Sequence, residues 1–243
     1  MVRKQPGEYQ GRGVHGEVVE AVGQRIVAGE LAEGLILDIP QLERELDVSR
    51  TALREAFRVL KAKGLVDARQ KRGTFILPRS EWRLLDPDVV RWQFAGRDDS
   101  AFLDDLAEMR GIFEPACARL AALRRTDADL AAMDQALDDM AAAAAGGGDE
   151  VAADLAFHRA LLAATHNELV IRMEVVFAAG LGARDRLVHG AISGDDPTPA
   201  HAAVADAIRA QDQEAAAAAV DALLVKSRHD IQRARASVDE HTA

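Results

Sequence analysis

The segment from Val48 to Gly64, VSRTALREAFRVLKAKG, leaves few folds open. Ser49 offers its hydroxyl to the first free amides of a helix, and Gly64 supplies the left-handed turn that ends one. Between them Leu53, Phe57 and Leu60 form a buried stripe at helical spacing, while Arg50, Arg54, Arg58 and Lys61 fall on other faces. The period then changes. Leu65–Ala68 and Thr74–Leu77 are short β-prone runs around Gln70-Lys71-Arg72-Gly73, a hairpin signal, and Pro78 closes the unit. Upstream, Val18, Val19, Val22, Ile26 and Val27 mark a helix from Val14 that Gly29 ends. Gln41–Leu46 has room for one or two helical turns, and residues 1–13, polar and glycine-bearing, read as a loose arm. Helix, short helix, capped helix and hairpin in that order spell a winged helix-turn-helix over residues 14–78.

Beyond it the chain reads as almost wholly helical. Residues 79–100 form a linker and docking helix holding both tryptophans, Trp82 and Trp92, which pack between domains, across a subunit contact, or as a cap on the second core. From residue 101 to 236 alanine is abundant and β-branched runs are rare. Helices are expected over 101–124, 127–144, 149–165, 168–190, 199–210 and 212–236, broken at Thr126, Gly146-Gly147-Gly148, His166-Asn167 and Ser193–Pro197. The expected fold is therefore mostly α: three helices and a β-hairpin, then an all-α antiparallel bundle.

Charge divides along the same line. Residues 1–79 hold 14 Lys and Arg against 11 Asp and Glu, whereas residues 80–243 hold 16 against 29. A mildly basic head on an acidic body suits contact with phosphate at one end only. No apolar run approaches the ~18 residues of a membrane span, and the first thirty residues show no apolar secretory core. The single cysteine, Cys117, excludes an internal disulfide framework. Together these favour the cytoplasm and no membrane partner.

The basic head has a legible chemistry. A recognition helix enters the major groove of a duplex with its N-terminal residues leading. The Ser49 and Thr51 hydroxyls suit phosphate, and Arg50 and Arg54, four apart, share a face that reaches guanine edges or phosphate. The hairpin tip, Lys71-Arg72-Gly73, lies along the adjacent backbone or minor groove. In the acidic body, Asp154 and His158 are four apart and point to a common centre if helical, and His201 begins a later helix. Two imidazoles and a carboxylate suit zinc, nickel or manganese; the same spacing also serves a surface hydrogen bond. Arg110 is placed either to clamp a carboxylate or to pair with Glu114 one turn on. Asn167 and Arg184 are further effector-site candidates, Asn167 equally a helix cap.

The head resembles the GntR superfamily, whose usual text reads VSRTPVREALRRLEAEGLV followed by a basic RRGTFV wing; here it is VSRTALREAFRVLKAKGLV and KRGTFIL. The resemblance implies DNA contacts at Arg50, Thr51, Arg54 and Gly73. The approach to the second helix, Leu37-Asp38-Ile39-Pro40-Gln41, is shorter than the family's and lacks a basic residue. The stretches DLAFHRALLAATHN and HAAVADAIRAQD resemble the FCD domain of the FadR subfamily, a helical bundle. That resemblance implies a metal at the ligand cavity on Asp154, His158 and His201, with Arg110 as anion anchor. The family's further histidine is replaced by Leu223, and His229 is out of phase, so either a metal sits on three protein ligands plus water or effector, or none binds. The W-x-x-L-D-x-D-V-x-x-W run from Trp82 to Trp92 resembles regulators of sugar-acid catabolism, the galactonate-responsive repressors in particular. The whole is read as a homodimeric repressor, not an enzyme and without an organic cofactor, released from operator DNA by a small carboxylate such as a hexonate. The alternatives are an acyl-chain sensor of the same family without metal, and a metal-dependent enzyme.

Overall fold

The computed structural model describes residues 13–95, 100–178 and 196–242. The chain divides into two compact units, Met1–Asp99 and Ser100–Ala243. In the first, α1 (Val14–Val27) and α3 (Arg50–Ala62) pack together, with α2 (Ile39–Glu45) against α3. Val18, Val19, Val22 and Ile26 of α1 meet Leu53, Ala56, Phe57 and Leu60 of α3 in one core. Burial of such apolar stripes is what holds short helices together. Helix α2 starts two residues before the expected Gln41, because the Asp38 carboxylate accepts the Gln41 amide at 3.0 Å and Pro40 is tolerated in a first turn.

Ser49 caps α3 as expected, its Oγ accepting the Ala52 amide at 3.2 Å. Strands β1 (Val66–Arg69) and β2 (Gly73–Ile76) pair antiparallel, with Val66 opposite Ile76 and Arg69 opposite Gly73. A third edge was not foreseen. Ile36 bridges Phe75, while the Leu37 amide donates to Thr74 O at 2.9 Å and the Ile76 amide to Leu35 O at 3.0 Å. Three residues between Gly34 and Asp38 are too few to show a strand period by themselves.

The tryptophan segment belongs to the first unit's own core. After a 3-10 turn at Arg79–Glu81, α4 (Pro87–Ala95) lies on α1, and Val89 and Trp92 are buried there. Gly23 makes the slot: a Cβ at that position would stand 2.4 Å from the Trp92 ring. Trp82 donates its indole N–H to Leu77 O at 3.1 Å. Gly64, at φ +77, lets the chain cross so closely that a Cβ would meet Glu81 O at 2.2 Å.

The second unit consists, among its described residues, of α5 (Ser100–Arg124), α6 (Asp127–Ala144), α7 (Glu150–Ala163), α8 (Glu168–Arg172), a helical stretch at 174–178, α9 (Thr198–Arg209) and α10 (Gln213–Thr242). Helix α5 packs on α10, α6 on α7, and α9 on α10. Ala118, Ala121, Ala122, Ala205 and Ala216 let the helices approach around Met133, Met140, Phe157, Leu161 and Ile208. Thr126 and Asp129 form a reciprocal capping box at the start of α6. Two expectations need correction. The single helix expected over 168–190 is interrupted at Met173, and its part beyond residue 178 lies outside the described residues. The last helix runs to Thr242, six residues past the expected end. No described helix is long and apolar enough to cross a membrane.

Candidate DNA-contact face and effector site

Each unit carries one candidate site. On the first, Ser49, Arg50, Thr51 and Arg54 are all exposed at the leading end of α3. Among the described residues neither Arg50 nor Arg54 has an ion-pair partner, whereas Arg58 pairs with Glu55 at 2.9 Å and Lys61 with Asp67 at 2.6 Å. The positive charge left uncompensated on α3 is thus at its exposed N-terminal end. The Ser49 oxygen serves the cap, which leaves its O–H to donate to a phosphate. At the hairpin tip Lys71, Arg72 and Gly73 are exposed, and the Arg72 guanidinium lies 4.0 Å from the centre of the Phe75 ring, which holds the wing's charge in place.

In the second unit, α5, α7 and α9 bring a chain of buried polar groups together. His201, 2% exposed, donates from Nδ1 to Pro197 O at 2.9 Å, which in the neutral ring makes Nε2 the nitrogen with the lone pair. That Nε2 makes no hydrogen bond, yet it lies 3.0 Å from Asp154 Oδ1. His158 Nε2 is 3.9 Å from the same oxygen. With a neutral His201 ring two lone pairs face each other, a contact that a shared cation relieves as a proton on Nε2 would. Ligands bound at ~2.1 Å to one tetrahedral ion stand roughly 3.4 Å apart, and the two separations bracket that value. The donor atoms of Asp154, His158 and His201 all lie within 4.8 Å of one another. Burial pushes the His158 imidazole down to about 4, so it is neutral and free to donate a lone pair near neutral pH. Phe157 braces the cluster, its ring 4.9 Å from that of His201 and edge-on.

Arg110 both pairs and borders the site. Its Nε and Nη2 bond Glu114 at 2.5 and 3.3 Å, and Nη2 lies 3.5 Å from His158 Nε2. Burial is the largest single influence on the Glu114 carboxyl and would raise it, but the Arg110 charge, the His158 ring and the hydrogen bonds from Arg110 together hold the group below the usual carboxylate range. Glu114 is the residue that sequence reasoning passed over as a mere pairing partner. Its only visible signal was the four-residue spacing from Arg110. Asn167 is used as a cap: its Oδ1 accepts the amides of Leu169 and Val170 at 3.1 and 3.4 Å. Leu223 is buried in the bundle core, His229 is exposed, and Arg184 lies outside the described residues. Cys117 is buried, which pushes its thiol up to about 11 and leaves it inert.

The sequence profile of the bacterial regulatory proteins of the gntR family matches residues 15–76, and that of the FCD domain matches residues 105–226. The chain belongs to the GntR family. It is a DNA-binding transcription regulator whose helical unit is an FCD ligand-binding domain. The galactonate operon transcriptional repressor of Escherichia coli K12 is 33% identical over 219 residues, covering 86% of this chain and 93% of that protein. LutR of Bacillus subtilis 168 is 39% identical over 143 residues, 58% of this chain and 64% of the relative. The Listeria monocytogenes regulator Lar shares the fold with a TM-score of 0.63 at 17% identity, over 92% of this chain and 99% of its own. The curated relatives named here are transcription regulators.

Proposed function

We propose that this GntR regulator is a homodimeric repressor whose two heads read a short pseudo-palindromic operator and whose FCD domain binds a small hydroxylated carboxylate on a metal ion. Arg50 and Arg54 contact bases or phosphates, Ser49 and Thr51 contact phosphate, and Lys71, Arg72 and Gly73 follow the adjacent backbone. Asp154, His158 and His201 hold a zinc, nickel or manganese ion, which supplies a Lewis-acidic position for the effector's carboxylate. Arg110 offers the same carboxylate a guanidinium edge. Three protein ligands leave coordination positions open, as a ligand-binding rather than a purely structural metal requires.

The observation that carries this reading is the His201 Nε2, without a hydrogen-bond partner and 3.0 Å from Asp154 Oδ1 in the buried interior of the bundle, an arrangement that suits a cation. An apolar acyl pocket has no use for three such donors. Similarity to a galactonate operon repressor supports a sugar acid such as galactonate as the effector. Repression is released when the effector binds the DNA-free arrangement more tightly than the DNA-bound one. Thermal shift with hexonates and with acyl-CoA, each with and without chelator, tests the assignment. Stabilisation by a hexonate that chelation removes is expected; stabilisation by acyl-CoA alone would overturn it. Turnover of a hexonate by the purified protein would instead make the site catalytic.

A further inference from the structure

Glu114 follows Arg110 by one turn of α5 and is 1% exposed. A carboxylate so deeply buried is costly unless it is paired. Glu114 has a positive or polar group on two sides. Arg110 holds one side through Nε and Nη2. On the other, Oε2 lies 3.6 Å from His158 Nδ1, the ring nitrogen opposite the one that faces Asp154. We infer that Glu114 is a positioning residue: it turns the His158 ring so that Nε2 addresses the cation, and it ties that ring to the arginine that meets the effector. The inference rests on the metal reading given above.

An imidazole that ligates through Nε2 carries its proton on Nδ1, and a buried N–H needs an acceptor. Glu114 is the carboxylate that faces Nδ1. At 3.6 Å the contact is electrostatic, and a small rotation of the ring closes it to a hydrogen bond. A carboxylate behind a ligating histidine fixes its tautomer and orientation and raises its basicity. Arg110 adds a consequence. Its Nη2 reaches the edge of the same His158 Nε2 at 3.5 Å. A divalent ion taking that lone pair repels the guanidinium, and the bond to Glu114 then keeps Arg110 beside the site for an anion. Metal and effector are coupled through one buried carboxylate.

Titration of the full-length, chelator-stripped protein with Co2+ reads both affinity, by calorimetry, and ligand arrangement, by visible absorption. Glu114→Gln, folded by circular dichroism, should bind Co2+ roughly 10–100-fold more weakly, with an altered spectrum. A role confined to packing would lower the melting temperature and leave both readouts unchanged. Glu114→Gln also strands the Arg110 charge, so the double variant Arg110→Met/Glu114→Gln removes both charges together and keeps the test open if the single variant misfolds. The same weakened binding is expected from it. Wild-type Co2+ affinity and spectrum in either folded variant would overturn the role of Glu114. No Co2+ binding by the wild type, or undiminished binding by His201→Ala, would instead overturn the metal reading on which it depends.

Discussion

Lys63 ends α3 with a buried charge, and its removal has a calculable cost. The Lys63 side chain is 6% exposed, and its Nζ lies 2.8 Å from Asp86 Oδ1 and 2.6 Å from Asp88 Oδ2, the latter side chain 2% exposed. Asp86 also accepts the Asp88 and Val89 amides at 3.0 and 3.3 Å, capping α4. Asp88 reaches Arg91, which in turn grips Glu20 of α1 with both nitrogens at 2.5 and 2.7 Å. The network thus ties α3, α4 and α1 together. Lys63→Met preserves the apolar stem and leaves two adjacent carboxylates without their shared cation. Breaking a buried pair costs about 3–5 kcal/mol. Asp88 keeps Arg91 and Asp86 keeps its amides, so the lower end, about 3 kcal/mol, is expected. Amide hydrogen exchange on the full-length protein reads this locally, because the amides of α1, α3 and α4 should open together. A loss of that size accelerates their exchange on the order of 10²-fold. Adding Asp86→Asn should recover part of the loss, because it removes one of the stranded charges. Exchange within about threefold of wild type would refute the argument and mark the network as solvent-screened.

Arg50→Ala should weaken operator binding by at least ~1–3 kcal/mol in an anisotropy titration at fixed salt, with the helical unit's melting unchanged; undiminished affinity would remove α3 from the groove. Arg110→Ala should raise the effector concentration needed to release operator DNA, and a wild-type release curve would move the anion anchor elsewhere. Ser49→Ala, which deletes the α3 cap, should cost about 1 kcal/mol in urea denaturation. Gly64→Ala should cost more than that cap, since it forces both a left-handed alanine and a Cβ 2.2 Å from Glu81 O; stability equal to wild type would contradict the close crossing of the chain.

The reading of the sequence succeeded where a local rule was sufficient. Ser49, Thr126 and the glycines after α3 and α6 mark helix ends through short-range hydrogen bonding, so α3, α5 and α6 begin and end within a residue or two of expectation. The Asp154 and His158 pair was legible because four residues span one helical turn. That His201 joins them depends on how α9 packs in the bundle, which spacing does not encode; residue type suggested it and resemblance strengthened it. Glu114 was passed over for the same reason, since its second neighbour, His158, is 44 residues away. Trp92 was seen as a large residue needing a partner, but the partner is the missing side chain of Gly23, a contact between two residues 69 positions apart. The edge at Ile36 escaped because its hydrogen bonds belong to a hairpin forty residues later.

The central claim is that a cation on Asp154, His158 and His201 gives the effector its hold on the DNA-binding state. One titration addresses it directly: release of labelled operator DNA by a hexonate, measured on metal-loaded protein, on chelator-stripped protein, and on His201→Ala. The account predicts release from the loaded protein alone, restored to the stripped protein by adding back zinc, nickel or manganese and not restored to the variant. Equal release from all three would place the switch outside this cluster.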